Sequence, residues 1–167
     1  TTGQGGSASM SAVETGLITH LRSKGFLIID PDVLSGKIEL SEVYKKGDIP
    51  TGVARRIGNL SGAEVVIFGK AMVQENSGPM LGKTRIAMGQ VVLRAVNVQT
   101  GEVIATSTAN GGMPTPANGL HQVAVRVLSG VGKKAGADLV GQIVKQWQSD
   151  TSGTTRIVLT VSGVKFR

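Results

Sequence analysis

The feature that most constrains the fold is a pair of β-rich segments joined by a tight turn. RIAMGQVVLRAVNV (residues 85–98) and VIATSTA (residues 103–109) are rich in β-branched residues. Thr100 and Gly101 lie between them, and a glycine-containing turn between two such runs is a strong hairpin signal. A third segment, EVVIFGKAMVQ (residues 64–74), has an apolar centre with no polar side, which is typical of a strand buried on both faces in the middle of a sheet. The sequence therefore predicts a sheet that contains an antiparallel hairpin.

A long helix is predicted after the hairpin. Apolar residues recur at helical spacing from about Gly119 to Gln148, and this indicates one apolar stripe. Four glycines interrupt the pattern, and each costs about 1 kcal/mol relative to alanine. They indicate either close packing against the sheet or a break between Gly130 and Gly132. The stripe consists of Leu120, Ala124, Val127, Val131, Ala135, Leu139, Ile143 and Trp147, and the glycines are Gly130, Gly132, Gly136 and Gly141.

Shorter elements are predicted on both sides of this unit. Helical spacing of apolar residues, short β-rich runs and the placement of proline and glycine define their limits. The predicted elements are a helix from Ser11 to Gly25, a strand at 26–30, a short helix or ordered loop within 32–48, a helix from Pro50 to Leu60 that closes at Ser61-Gly62, and a strand at 156–166.

Together these elements predict an α/β (α+β) fold of two layers. Helices pack on a mixed, largely antiparallel sheet of about four to five strands. Residues 1–9 are rich in glycine, serine and threonine and are predicted to be a flexible segment, followed by a single domain over residues 10–149. Residues 150–167 are predicted to be a linker and a strand, which we expect to begin a further domain or more sheet.

The chain is basic, but its charges are not concentrated in one run. The net charge of +7 is compatible with a nucleic acid, an anionic lipid or an acidic protein as partner. The basic pairs are isolated from one another, and aromatic residues make up only 3% of the chain, so few could stack on bases between them. This pattern favours a solvated basic surface over a nucleic-acid footprint. The candidate interaction surface consists of Lys45, Lys46, Arg55, Arg56, Lys83, Lys133 and Lys134.

The sequence offers few groups for catalysis or metal binding. It contains no cysteine, which removes disulfides, thiol catalysis and cysteine-based zinc sites. His20 and His121 each lack a histidine or carboxylate three or four residues further along, so they are expected to be ordinary helix-face residues. Asp30 and Asp32 follow a predicted strand, where catalytic acids occur, but they are also common turn residues. We therefore expect no enzyme activity, no cofactor and no metal site.

The segment SGPMLGKT, residues 77–84, is close to the nucleotide-binding pattern G-x-x-x-x-G-K-[ST]. Ser77 stands where the first glycine of that pattern belongs, and Pro79 lies within the loop. A working phosphate loop needs a helix directly after it, so that backbone N–H groups face the phosphates. Here Thr84 opens a β pattern instead, so the segment is predicted to be a simple hairpin connection.

The order of structural motifs resembles a group of bacterial envelope proteins. A helix–strand unit precedes a GA…G strand, a TGE hairpin and a long Ala/Val-rich helix, over roughly residues 9–148. The arrangement resembles the curli-secretion CsgG-like proteins, the N-terminal domain of TolB, and the flagellar assembly FlgT and LPP20-type lipoproteins. The matching residues are Glu14, Leu17, Leu21, Gly25, Phe26, Asp30, Gly62, Ala63, Gly69, Val96, Val98, Thr100, Gly101 and Glu102.

The resemblance implies an exported domain, periplasmic or associated with the outer membrane, that serves a secretion, flagellar or envelope complex. The chain departs from CsgG-like pores because it has no cysteine to be lipidated and its loop at 76–83 is too short and polar to span a bilayer. We expect a non-enzymatic scaffold that binds envelope proteins, or itself, through loops 76–83 and 110–118, the sheet edge and the basic surface. We expect peripheral contact with anionic lipid, and we expect neither a nucleic-acid partner nor a transmembrane segment. The alternative is a basic domain that binds a small molecule or a nucleic acid.

Overall fold

The computed structural model describes residues 5–29, 49–76, 85–116 and 119–151. Within these ranges the helices are α1 (Gly5–Ser23), α2 (Thr51–Ser61) and α3 (Leu120–Thr151), and the strands are β1 (Val65–Asn76), β2 (Arg85–Asn97) and β3 (Val103–Thr115). The fold of these residues is α+β. Helix α3 packs on one face of an antiparallel sheet and α1 packs on α3, while α2 lies against β1 and β2.

The described strands form one antiparallel sheet in the order β1-β2-β3. The sheet therefore has three strands in the described ranges, and the prediction of a mixed sheet with four to five strands is wrong. The central strand is β2, whereas β1, predicted to lie in the middle, is at an edge. The start of β1 is nevertheless half-buried on both faces, because α2 approaches Val66 on one face and Ile67 packs against the core on the other.

The predicted hairpin between β2 and β3 is confirmed, and its turn is held from two sides. Gly101 has φ of 76°, a left-handed conformation that glycine adopts without a steric penalty. The side-chain oxygen of Asn97 accepts hydrogen bonds from the backbone N–H groups of Gln99 and Thr100 at 2.9 and 3.0 Å. From α2, Arg55 reaches the same turn. The tip of the hairpin is thus fixed by its own sequence and by a neighbouring helix.

Two paired glycines let α3 lie close to the sheet. Gly89 on β2 and Gly111 on β3 are register partners, and both lie beneath α3. A Cβ atom at Gly89 would come 2.5 Å from Cγ1 of Val127, and one at Gly111 would come 2.8 Å from Cγ2 of Val131. This close approach explains why β3 continues to Thr115 through residues that were predicted to be a loop. The prediction of a loop at 110–118 is therefore wrong from residue 110 to residue 115.

The long helix is continuous, and two of its four glycines serve the contact with α1. Gly132 and Gly136 face Val13 and Leu17, where a Cβ atom would come within 3.1 and 2.7 Å of the α1 side chains. The close packing predicted for these glycines is therefore present, but against α1 instead of the sheet. Near the end of α3, Trp147 stacks at a tilted angle on Phe26, with 5.6 Å between ring centroids.

The core lies between α3 and the sheet face that it covers. Val91, Leu128, Leu139 and Ile143 are fully buried there. Ser107 shares this face of the sheet and is 2% exposed, and its hydroxyl oxygen has no hydrogen-bond partner among the described residues. A buried hydroxyl without a partner costs free energy, so this position is a local weakness of the core.

Other predicted boundaries differ from the structure or fall outside it. Helix α1 begins at Gly5 rather than Ser11 and so includes residues 5–9, which were assigned to a flexible segment; Ala8 and Met10 are good helix formers. It ends before Gly25, as predicted. Residues 26–29 form no strand, and Leu27 is 92% exposed. The predictions for residues 32–48 and for the strand at 156–166 lie outside the described residues.

Candidate protein-interaction surface

Among the described residues, the face of the sheet opposite α3 is covered at one end only. Helix α2 covers the end next to the hairpin turn, where Gly58 lies directly against Val98 and Val66. Beyond α2, side chains of alternate residues on β1 and β2 project from this face because side chains alternate along a strand. We call this region the open face, and it consists of Phe68, Lys70, Met72, Met88, Val92 and Arg94.

The open face carries apolar side chains in contact with solvent. Met72 and Met88 are 45% and 38% exposed, and Phe68 and Val92 are half-buried. In the register of β1 and β2, Met72 lies opposite Gln90, so Met88 and Val92 are its diagonal neighbours. The four apolar side chains therefore form one patch rather than isolated exposures.

Two cations lie within the same face. Lys70 is opposite Val92, and Arg94 is opposite Phe68, so each cation borders an apolar side chain of the patch. Both are exposed, and neither forms an ion pair with another described residue. The open face is therefore both apolar and positively charged.

The predicted basic residues do not form a single surface. Arg55 and Arg56 lie on α2, whereas Lys133 and Lys134 lie on α3, which packs on the opposite face of the sheet. Lys45, Lys46 and Lys83 lie outside the described residues. Lys133 runs along α1 beside Gly16, whereas Lys134 lines a groove next to β3.

Arg55 has a structural role. Its Nε donates a hydrogen bond to the backbone oxygen of Val98 at 3.0 Å, and its Nη2 donates to that of Gln99 at 3.1 Å. The guanidinium group thus holds the hairpin turn, although Arg55 and Arg56 are both exposed on α2. An open depression of about 460 Å³ lies beside them, lined also by Gly52, Asn59 and Leu60.

The other groups considered in the sequence are dispersed or not described. His20 is half-buried on α1 and His121 is exposed on α3, while Asp30 and Asp32 lie outside the described residues. Within the described ranges, no group of three or more His, Cys, Asp or Glu side chains could hold a metal ion. Among the described helices, none is long and apolar enough to cross a membrane.

The segment that resembles a phosphate loop is followed by a strand. Residues 77–84 are outside the described ranges, but β2 begins at Arg85, directly after Thr84. The last residue of β1, Asn76, pairs with Ile86, so the two strands form an antiparallel hairpin. The predicted β continuation is confirmed, and a helix of the kind a phosphate loop requires does not follow.

The cations of the open face were not among the residues predicted from the sequence. Lys70 and Arg94 are single charges within strands and were not part of the basic pairs. The signal that could have found them is alternation: Lys70, Met72 and Gln74 alternate with the less exposed Ala71 and Val73. Reading this period in β1 would have placed a lysine and a methionine on the same exposed face.

Comparisons with known proteins identify no family. No family model matches the sequence, and no curated protein is similar to it. One solved structure similar in shape is that of a presumed lipoprotein from Caulobacter crescentus, with 7% identity and a TM-score of 0.35. The similarity covers 65% of this chain and 89% of that one. A likeness at this level defines neither a family nor a function.

Proposed function

We propose that this protein is a non-enzymatic assembly domain of the bacterial cell envelope that binds a protein partner through the open face. The observation that carries the proposal is the open face itself, where a contiguous apolar patch with two cations is left uncovered by the helices of the described fold. Contiguous exposed apolar surface bordered by polar residues is a mark of interaction sites.

The apolar part of the open face suits a protein partner. Met72 and Met88 are flexible and polarisable, so they adapt to the shape of a partner's side chains. Burying apolar surface stabilises a complex by about 25 cal/mol per Å² before the costs of association are subtracted. Methionines exposed on a rigid sheet therefore offer binding free energy with little change in the backbone.

The charges of the open face indicate the chemistry of the partner. Lys70 and Arg94 border the patch, and the chain as a whole carries a net charge of +7. Complementary charge raises association rates and selects among partners more than it adds affinity. The proposed partner is therefore a protein with an apolar contact surface and an acidic border.

The envelope assignment rests on the sequence resemblance. Its motif residues occupy structural positions: Gly62 caps α2 in a left-handed conformation, and Thr100 and Gly101 form the hairpin turn. Gly25 follows the end of α1. Each of these residues caps or follows a helix or forms a turn, and none of them is proposed to be catalytic. They support the assignment only as features of the fold.

Affinity isolation from envelope fractions of the native host tests this proposal. The double variant Met72→Asp/Met88→Asp places negative charge on the open face and should repel an acidic partner. We expect it to recover the exported partner at least about tenfold less than the wild type does. Leu27→Asp is the matched control, because Leu27 is highly exposed and lies outside the open face.

Three results would contradict the proposal. The first is recovery of cytoplasmic proteins alone, and the second is the same set of proteins with all three baits. The third is salt-dependent retention of DNA or RNA in place of a protein, which would favour the alternative of a basic nucleic-acid binding domain.

A further inference from the structure

We propose that the outer edge of β3 binds an extended acidic segment of another protein, which adds to the sheet as a strand. This surface lies at the side of the sheet next to α3 and is separate from the open face. The inference therefore goes beyond the proposed function, and either one can fail without the other.

The side chain of Gln142 on α3 already makes two hydrogen bonds of the kind that such a strand would make. The side-chain oxygen of Gln142 accepts a hydrogen bond from the backbone N–H of Thr106 at 3.1 Å, and its Nε2 donates to the backbone oxygen of Thr106 at 2.9 Å. Asp138 accepts a second hydrogen bond from the same Nε2 at 3.0 Å, which orients the amide. The amide of Gln142 thus pairs with the edge of β3 as one residue of a neighbouring strand would.

The edge continues beyond Thr106 without a partner in the described part of the chain. In an antiparallel ladder, backbone groups point alternately toward and away from the neighbouring strand. Because those of Thr106 point away from β2, those of Thr108, Asn110 and Gly112 do so as well, and the register is regular over these residues. No described residue bonds their outward N–H and C=O groups.

The sequence of β3 protects this edge only near its end. From Val103 to Met113 the strand contains no charged residue and no proline, and Pro114 then removes an outward N–H at the end of the strand. Edge strands that must stay unpaired usually carry lysine, proline or a bulge, and the register shift that the structure contains lies near Val103, at Ala95 and Val96 of β2. An uncharged edge of this length is suited to pairing with another strand.

A groove beside the edge has room and charge for the added strand. It has a volume of about 270 Å³ and lies between residues 110–113 of β3 and one stripe of α3. The stripe presents Arg126, Gly130 and Lys134, and a Cβ atom at Gly130 would meet nothing within 4 Å. Neither cation pairs with a carboxylate among the described residues.

The spacing of the cations defines the ligand. Arg126 and Lys134 are about 12 Å apart along the helix, at 1.5 Å per residue. In an extended chain, side chains at positions i and i+4 lie on the same side and about 13 Å apart. A segment with two acidic residues four positions apart would therefore pair its backbone with β3 and place both carboxylates near the cations.

Charge favours this ligand over two other occupants of the edge, a second copy of the chain and residues 152–167. A second copy of the chain would bring the same two cations to the same edge. Residues 152–167 of the chain itself contain Arg156, Lys165 and Arg167 and no acidic residue. Both alternatives would leave Arg126 and Lys134 beside like charge, which is unfavourable.

The experiment titrates the full chain, labelled with nitrogen-15, with the blocked peptide Thr-Glu-Thr-Val-Thr-Glu-Thr. We expect the amide signals of Thr108, Asn110 and Gly112 to shift on binding, and their hydrogen exchange to slow about tenfold or more at saturation. A peptide with lysines in place of both glutamates, and Thr-Glu-Thr-Pro-Pro-Glu-Thr, which cannot pair as a strand, should leave these signals in place.

A charge-reversed variant makes the test specific. Arg126→Glu/Lys134→Glu should bind the lysine peptide and lose the glutamate peptide by about tenfold or more, with the fold checked by circular dichroism. Three results would overturn the proposal: equal binding of the proline peptide, unchanged preference in the variant, or protection of the three amides in the free protein. The last result would mean that the edge is already filled, and analytical ultracentrifugation would tell a second copy from the chain's own residues.

Discussion

Gly89 and Gly111 show how single residues determine the packing of the largest helix. They lie opposite each other on β2 and β3, and α3 crosses directly above them. Glycine weakens a strand because it offers no side chain for packing. At these two positions that cost is offset by the burial of Val127 and Val131 against the backbone of the sheet, and both valines are almost fully buried.

Gly89→Ala should destabilise the protein by about 1–3 kcal/mol, because the new methyl group would overlap Val127 and force α3 away from the sheet. Gly141→Ala is the matched control on α3, where a Cβ atom meets nothing within 4 Å. It should instead stabilise the protein by up to about 1 kcal/mol through helix propensity. Urea unfolding measures both changes. Equal effects of the two substitutions would contradict the close approach of α3.

At the scale of elements, α2 and the β2–β3 hairpin form one unit. Arg55 connects them through its two hydrogen bonds to the carbonyl oxygens of the turn. The neighbouring Arg56 has the same charge and is exposed on the same helix. Both arginines are exposed, and the hydrogen bonds to the turn distinguish Arg55 as the residue that supports the fold.

Arg55→Lys should lower the free energy of unfolding by about 1–2 kcal/mol, because an ammonium group cannot reproduce the two-point contact of a guanidinium group. Arg56→Lys should change it by less than about 0.5 kcal/mol. Chemical denaturation of the two variants provides the comparison. A loss that is as large for Arg56→Lys would show that Arg55 has no special role in the turn.

The sequence predicted those elements whose signal is local. The turn at Gly101 and the apolar stripe of α3 follow from residue pattern alone, and both are present. Residues 110–115 read as a loop because asparagine, glycine and proline dominate them, yet they complete β3 under α3. Gly111 is required by the approach of the helix, which is a tertiary contact that no local pattern encodes.

Much of the candidate site could not be predicted from the sequence, because it also depends on tertiary contacts. The basic pairs can be read directly from the sequence, but the structure places the described pairs on different helices. The open face combines Met72 and Met88, which lie on different strands and become diagonal neighbours only through the register of β1 and β2. Which face of the sheet stays uncovered depends on where α2 and α3 pack, and this is a property of the whole fold.

At the scale of the whole molecule, the two faces of the sheet differ in burial. One face holds the core under α3, with Val91, Leu139 and Ile143 fully buried. Among the described residues, the other face is uncovered beyond α2 and displays methionine and positive charge. The proposed partner would bind there without disturbing the core.

The measurement that tests the central claim most directly is site-specific photocrosslinking in living cells of the native host. A photoreactive amino acid would replace Met72 on the open face or, as a control, Ala137, which is exposed on α3. The account predicts a crosslink from position 72, but not from position 137, to an exported protein with an acidic contact surface. The absence of a crosslink at position 72, or the same products from both positions, would contradict it.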